Sequence, residues 1–199
     1  MKNNIIRSVV IAGVLSLTTF SGANAGGATA QMLADTCAGC HGTDGASGGP
    51  ASPSIAGLSS PHFVEMMQDY KSGKVPSTIM GRIAKGYEDD EFEKMAGYFA
   101  QQSFPTAKQP FDAKLAEKGG KLHEKYCHKC HHDGGSEADD DAGILAGQWK
   151  PYIQWSLVDF NTGDRQMIKK MKKKMKKLMS KEGEKGIDAL VEFYASQQY

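Results

Sequence analysis

Four cysteines and two histidines are the residues whose spacing specifies chemistry most clearly. They form two C-x-x-C-H motifs, Cys37, Cys40 and His41 in the first half of the chain and Cys127, Cys130 and His131 in the second. Two thiols at this spacing can form thioether bonds to the vinyl groups on one edge of a porphyrin, and the following histidine can bind the iron. The motifs therefore predict two covalently bound haem c groups.

Two other uses of paired cysteines fit less well. A zinc site would draw thiolates from both pairs across a long interval, and it would leave the two histidines unexplained. Thioredoxin-like redox chemistry requires a βαβ context, and no strand pattern surrounds either motif. Because every cysteine lies in a motif, we do not expect a disulfide framework either.

The chain repeats itself at an interval of 90 residues. Cys37 falls on Cys127, and residues 54–57 fall on 144–147. Both halves also end in similar aromatic segments. Self-similarity at a fixed interval indicates an internal duplication, here with one haem motif in each half.

A signal peptide is predicted over residues 1–25. Lys2 and Arg7 supply its positive start, residues 9–17 are apolar, and Ala23-Asn24-Ala25 fits a cleavage site with small residues. A membrane anchor is the alternative, but the apolar stretch is shorter than the roughly 20 residues that a helical span needs. We therefore expect a protein exported to the periplasm, with no membrane span in its mature form.

Two all-helical domains follow from the repeat, residues 26–104 and 105–199, joined at a proline-bearing stretch. Apolar residues at spacings of three and four, and prolines near helix starts, predict three helices in each domain. Their expected ranges are 28–40, 61–72 and 89–102 in the first domain, and 111–130, 151–161 and 186–198 in the second. Because each domain is small, the haem is expected to supply much of its core.

The overall charge excludes one class of partner. Without Lys2 and Arg7, Lys+Arg falls from 24 to 22 against 23 Asp+Glu, a net charge of −1, which gives no basis for nucleic-acid binding. Residues 169–177 are the local exception, with seven lysines. This run is either a solvated helix face or a docking patch for an acidic redox partner, and the sequence favours neither.

Methionine as a second axial ligand favours electron transfer. In the first half, Met80 follows a proline-broken loop 39 residues after His41, whereas Met66, Met67 and Met95 lie in helical patterns. Met80 is therefore the predicted ligand of the first haem iron.

The second half offers two candidates. Met167, Met171, Met175 and Met179 recur every four residues, which is typical of the apolar face of a helix. Met167 precedes the lysine run, where a loop ligand is expected, and we favour it. The 90-residue repeat places the counterpart of Met80 at position 170, one residue before Met171, so Met171 is the alternative.

Four further histidines, His62, His123, His128 and His132, lie outside the motifs. His123 and His128 can in principle bind an iron, but we expect them to be surface or helix residues near the second motif.

The loops that follow the two motifs differ at Pro50, whose counterpart is Asp140. A proline carbonyl in this loop commonly accepts a hydrogen bond from the iron-binding histidine. We therefore expect unlike surroundings for His41 and His131, and unlike haem potentials.

Five stretches go beyond what haem attachment requires. They are residues 37–42, 49–56, 77–87, 92–99 and 144–149. Through them the mature chain resembles the diheme cytochrome subunit of flavocytochrome c sulfide dehydrogenase. The resemblance implies two tandem class I cytochrome c-like domains, with His41 and Met80 on the first haem iron and His131 and Met167 on the second.

The resemblance also implies partners. These are an FAD-containing flavoprotein subunit that oxidises sulfide and a soluble acceptor cytochrome c. The chain would then be a non-catalytic electron-transfer subunit of a sulfide:cytochrome c oxidoreductase. The alternative is a stand-alone periplasmic diheme carrier between a quinol-oxidising complex and an oxidase. A diheme enzyme, such as a peroxidase or thiosulfate dehydrogenase, would need an iron position that Met80 and Met167 are expected to fill.

Overall fold

The computed structural model describes residues 27–198, so the predicted signal peptide lies outside the described residues. Within this range the chain is helical, and its only β pairing is an isolated bridge between Asp139 and Ala142. The helices are α1 (Ala30–Asp35), α2 (Ala38–His41), α3 (Ser60–Ser72), α4 (Met80–Ile83), α5 (Asp89–Phe99), α6 (Ala113–Tyr126), α7 (Lys150–Thr162), α8 (Lys169–Glu182) and α9 (Glu184–Ser196). None of these helices is long and apolar enough to span a bilayer.

The internal duplication is visible residue by residue. Helices α3 and α7 have the same length, begin with proline in the first turn and end at a left-handed glycine. The loop behind each motif is also held alike: Gly57 N donates to Phe99 O at 2.8 Å, and Gly147 N donates to Tyr194 O at 2.8 Å. The same backbone arrangement therefore surrounds both motifs.

The described residues form one apolar core in each half. In the first half, α5 packs on α1 and α3 and buries the face predicted from its spacing. That face consists of Phe92, Met95, Ala96 and Phe99. In the second half, α9 packs on α6, α7 and α8. The closing helix of each half thus covers the helix that leads into the motif.

The helices beside the motifs are shorter than predicted. The 28–40 helix is interrupted after Asp35, because the Thr36 hydroxyl donates to Leu33 O at 2.6 Å and competes with the helical backbone bonds. In the second half, α6 ends before the motif, which continues as turns. Neither motif therefore lies within a long helix.

The methionine-rich stretch is helical, as its spacing predicted, and forms α8. Leu178 is fully buried, and Met175 packs against the second core. Met80 departs from the expectation of a loop position, since it begins the short helix α4. The Ser77 hydroxyl accepts a hydrogen bond from Gly81 N at 2.7 Å and stabilises this turn.

Helices α6 and α9 cross at Gly119. A Cβ atom there would lie 1.9 Å from Ala189 O and 2.6 Å from Phe193 Cβ. Only glycine allows such a close approach of the two helices. Because α6 leads directly into Cys127, this crossing fixes the start of the second motif.

We expect Gly119→Ala to destabilise the protein by about 1–3 kcal/mol, because the added methyl group forces the helices apart. Gly97→Ala is the matched control. It lies in α5, where a Cβ atom would have no neighbour within 4 Å beyond the local helix backbone, so alanine should be neutral or slightly stabilising. Urea unfolding of the two variants measures the difference, and equal stability would show that the crossing tolerates a side chain.

Candidate functional site

The first motif is a single helical turn. Cys40 N and His41 N both donate to Cys37 O, at 3.2 and 2.9 Å, so the two thiols and the imidazole project from successive positions of one turn. Neither cysteine forms a disulfide bond. Burial raises the pKa of Cys37, although the Thr36 hydroxyl opposes the shift. Nucleophilic and redox cysteines have lowered pKa values, so this environment does not favour thioredoxin-like chemistry.

The imidazole of His41 is held by one backbone carbonyl. Its Nδ1 lies 2.8 Å from Pro53 O, where it can only donate, so Nε2 carries the free lone pair that a metal ligand needs. Burial lowers the pKa of His41, and the bond to Pro53 only partly opposes this shift. A neutral imidazole is the form that binds iron.

The second motif has the same backbone turn. Cys130 N and His131 N both donate to Cys127 O at 3.1 Å. Burial raises the pKa of Cys127 to about 11 and lowers that of His131 to about 4, with the neighbouring His123 adding to the second shift. His131 differs from its counterpart in one respect: its buried Nδ1 has no hydrogen-bond partner among residues 27–198.

These residues fit a covalently attached haem in each half. In the first, the two thiols of the turn would form the thioether bonds, and the free Nε2 of His41 would bind the iron. Cys37 and Met80 both pack against the apolar core of the first half. When bound, a haem supplies an iron that exchanges one electron.

Comparisons with known proteins agree with this geometry. The family model described as Cytochrome c matches residues 27–103. Cytochrome c4 from Azotobacter vinelandii is 30% identical over 184 residues, which cover 83% of this chain and 85% of that protein. The chain belongs to the cytochrome c family.

Two further similarities refine this placement. The crystal structure of reduced recombinant cytochrome c4 from Pseudomonas stutzeri matches with a TM-score of 0.71 and 27% identity, over 83% of this chain and 95% of that chain. The cytochrome subunit of sulfide dehydrogenase from Chlorobaculum tepidum is 45% identical over 73 residues, which are 37% of this chain and 66% of that protein. The predicted pair of class I cytochrome c domains is confirmed, and the general function is that of a diheme c-type electron carrier.

The proline that holds the histidine of this cytochrome is Pro53, and the expectation of Pro50 was wrong. Pro50 lies three residues earlier, whereas Pro53 O faces the imidazole of His41. The counterpart of Pro53 in the repeat is Gly143. The expected asymmetry between the two histidines is therefore present, but it arises at a different pair of positions.

Met167 and Met171 have the secondary structure predicted for them, a loop and a helix respectively. Met167 lies in the non-helical segment before α8, and Met171 lies in the first turn of that helix. Both are half-buried. The choice of Met167 over Met171 as iron ligand stays a prediction.

His123 is a helix residue near the second motif, as expected, but it is fully buried in α6. Its ring packs against that of Phe193 in a tilted arrangement, with the centroids 5.3 Å apart, and its Nδ1 is 3.0 Å from the Tyr194 hydroxyl. Burial, together with the nearby Cys127, raises the pKa of Tyr194 well above its usual value. His123 is therefore part of the α6–α9 packing. His123 lies four residues before Cys127, just as the buried Leu33 lies four residues before Cys37. This correspondence in the repeat was the sequence signal for the burial of His123.

A glutamine that belongs to neither haem motif joins the two domains of the cytochrome. Gln148, from the second domain, is 3% exposed. Its Nε2 donates to Ser54 O at 2.9 Å, and its Oε1 accepts from Ser54 N at 3.0 Å. Next to it, Trp149 Nε1 donates to Ser47 O at 3.2 Å. Because Ser54 follows Pro53, the second domain supports the segment that positions His41.

We expect Gln148→Leu to destabilise this cytochrome by about 1–3 kcal/mol, because it leaves the buried N–H and C=O of Ser54 without partners. Gln154→Leu, on the exposed side of α7, is the matched control and should change stability by less than about 0.5 kcal/mol. Denaturant unfolding of both holoprotein variants measures the contrast. If the two variants are equally stable, the amide pair does not hold the domains together.

Proposed function

We propose that this cytochrome is the electron-transfer subunit of a periplasmic sulfide dehydrogenase. It accepts electrons from an FAD-containing flavoprotein subunit and passes them to a soluble acceptor cytochrome c. The similarity to the cytochrome subunit from Chlorobaculum tepidum carries this proposal, with 45% identity over 73 residues that make up 37% of this chain. The stretch 77–87 around Met80, which haem attachment does not require, supports it.

In this proposal the chain performs no bond chemistry on sulfide. His41 and Met80 are the proposed ligands of the first iron, and His131 and Met167 those of the second. An iron with two protein ligands offers no position to a substrate, so sulfide oxidation belongs to the flavoprotein. The remaining parts of the proposal are a signal peptide over residues 1–25 and domain limits at 26–104 and 105–199.

A stand-alone periplasmic diheme carrier is the second candidate. The cytochrome c4 proteins support it, since their similarity covers both domains, at 83% of this chain for the Azotobacter vinelandii protein. In that case the cytochrome would act between a quinol-oxidising complex and an oxidase, without a flavoprotein.

Sulfide-dependent reduction separates these two functions. We expect the tagged cytochrome, purified from periplasm at low salt, to retain a flavin-containing protein and to show reduced haem absorbance after sulfide is added. The same cytochrome stripped of the flavoprotein by high salt is the control and should stay oxidised on this timescale. A flavin-free cytochrome that sulfide does not reduce, even with the periplasmic fraction restored, would support the stand-alone carrier.

The ligand of the second iron is tested by Met167→Ala and Met171→Ala. Oxidised haem with a methionine ligand has a sulfur-to-iron charge-transfer band in the red, and its intensity reports each Met–iron bond. We expect Met167→Ala to reduce this band to the contribution of the first haem. Met171→Ala, and the control Met179→Ala at the far end of α8, should leave it intact. Loss of the band in Met171→Ala alone would reverse the assignment.

A further inference from the structure

Helix α8 concentrates the positive charge of the molecule. It contains eight of the 22 Lys+Arg in residues 26–199 but only one of the 23 Asp+Glu, which gives it a charge of +7. The other residues of that range hold 14 basic and 22 acidic side chains, a charge of −8. The cytochrome is thus strongly dipolar, with one basic helix on an acidic body.

The lysines of α8 have no acidic partner within the described part of the chain. Outside α8, six of the twelve lysines in the described range form salt bridges, including Lys94 with Asp90, Lys121 with Glu117 and Lys150 with Glu192. The residue of α8 that does form a salt bridge is its single acidic one, Glu182, whose carboxylate lies 3.3 Å from Lys118 Nζ of α6. The acidic residue of α8 therefore anchors the helix, and its lysines remain available.

The basic face of α8 is exposed, whereas its other face is fixed to the second domain. Lys169, Lys170, Lys172, Lys173, Lys176, Lys177 and Lys181 are exposed. Leu178 is fully buried, and Met175 packs against the core on which Cys127 also packs. Lys174 lies close enough to Cys127 for its charge to lower the pKa of that thiol against the larger effect of burial. The lysine face therefore flanks the second haem motif.

This charge distribution does not favour helix stability. Lysines four residues apart, such as Lys169 with Lys173 and Lys172 with Lys176, repel each other. The first turn of α8 has no acidic residue, so its lysines also face the positive end of the helix dipole. Because the seven exposed lysines do not stabilise the helix, the arrangement favours a role in binding over that of a merely solvated helix face.

The exposed face of α8 is basic without being apolar. Among the exposed large hydrophobic residues in the described range, Ile168 precedes α8 and none lies between Lys169 and Glu182, where the methionines are half-buried and Leu178 is buried. Helices that bind a bilayer surface insert an apolar face beside their basic one. The surface therefore fits the acidic surface of a protein better than a membrane.

We propose that the lysine face of α8 is the docking surface for an acidic region of a soluble redox protein, which it brings beside the second haem motif. This inference rests on the general function of electron transfer and holds for either candidate function. An array of unpaired cations steers an acidic partner through long-range attraction and sets its orientation on contact. The acidic remainder of the chain discourages approach from other directions.

The test measures electron transfer from flavodoxin hydroquinone, an acidic protein donor, to the oxidised diheme protein by stopped flow. In each reaction one electron leaves the flavin and reduces one ferric haem. We expect Lys173→Gln/Lys176→Gln/Lys177→Gln to lower the second-order rate constant roughly tenfold at low ionic strength, and the difference to vanish at high salt. The matched control is Lys85→Gln/Lys108→Gln/Lys114→Gln, which removes the same charge from exposed sites elsewhere and should retain most of the rate.

A second donor and two binding measurements complete the test. Reduction by neutral lumiflavin should be equal in all three proteins, which shows that the haem sites are intact. If both triple variants react with flavodoxin equally slowly, the proposal is overturned, because the rate would then depend on the net charge of the protein and not on the lysines of α8. Salt-sensitive binding to phosphatidylglycerol vesicles that only the α8 variant loses would also overturn the proposal and would assign the face to a membrane. A low-salt dimer dispersed by that variant alone would assign it to a second copy of the chain.

Discussion

The backbone turn formed by each C-x-x-C-H motif is the constraint that the rest of the molecule serves. In each half, the backbone N–H of the histidine donates to the carbonyl of the first cysteine, and this bond places two thiols and an imidazole on one turn. A turn of five residues cannot hold this geometry alone. In each half the helix before the motif packs against the closing helix, and this contact is closest where Gly119 meets Ala189. In the first half, the loop after the motif also supplies the carbonyl of Pro53 to His41.

Duplication produced two such scaffolds, and their departures from symmetry carry the specific features. Gln148 and Trp149 join the second domain to the loop around Ser54, but the residues at the corresponding positions of the first domain are Leu58 and Ser59. Replacement of Pro53 by glycine in the second copy accompanies the loss of a carbonyl partner for the second histidine. Helix α8 is long and basic where the first domain has only the short α4.

Much of this architecture could be predicted from the sequence, because it depends on local pattern. The motifs, the repeat and the buried face of α5 follow from spacing, and the structure agrees with them. Helix ends near the motifs could not be predicted, since the Thr36 hydroxyl competes locally with the helix. The carbonyl of Pro53 and the Gln148–Ser54 pair also escaped prediction, because backbone acceptors and contacts between domains leave no periodic signal. The choice between Met167 and Met171 depends on one helical turn beside the iron, which spacing alone does not resolve.

We expect each half to bind one haem, and the two haems to have unlike histidine environments. Spectroelectrochemical titration of the holoprotein tests this expectation most directly. We expect two one-electron waves, with the first haem at the lower potential, because the bond from His41 Nδ1 to Pro53 O makes that imidazole more electron-donating. A Cys127→Ser/Cys130→Ser variant, which keeps only the first haem, should titrate at the lower wave. One electron per chain in the native protein, or a variant that titrates at the higher wave, would contradict the account.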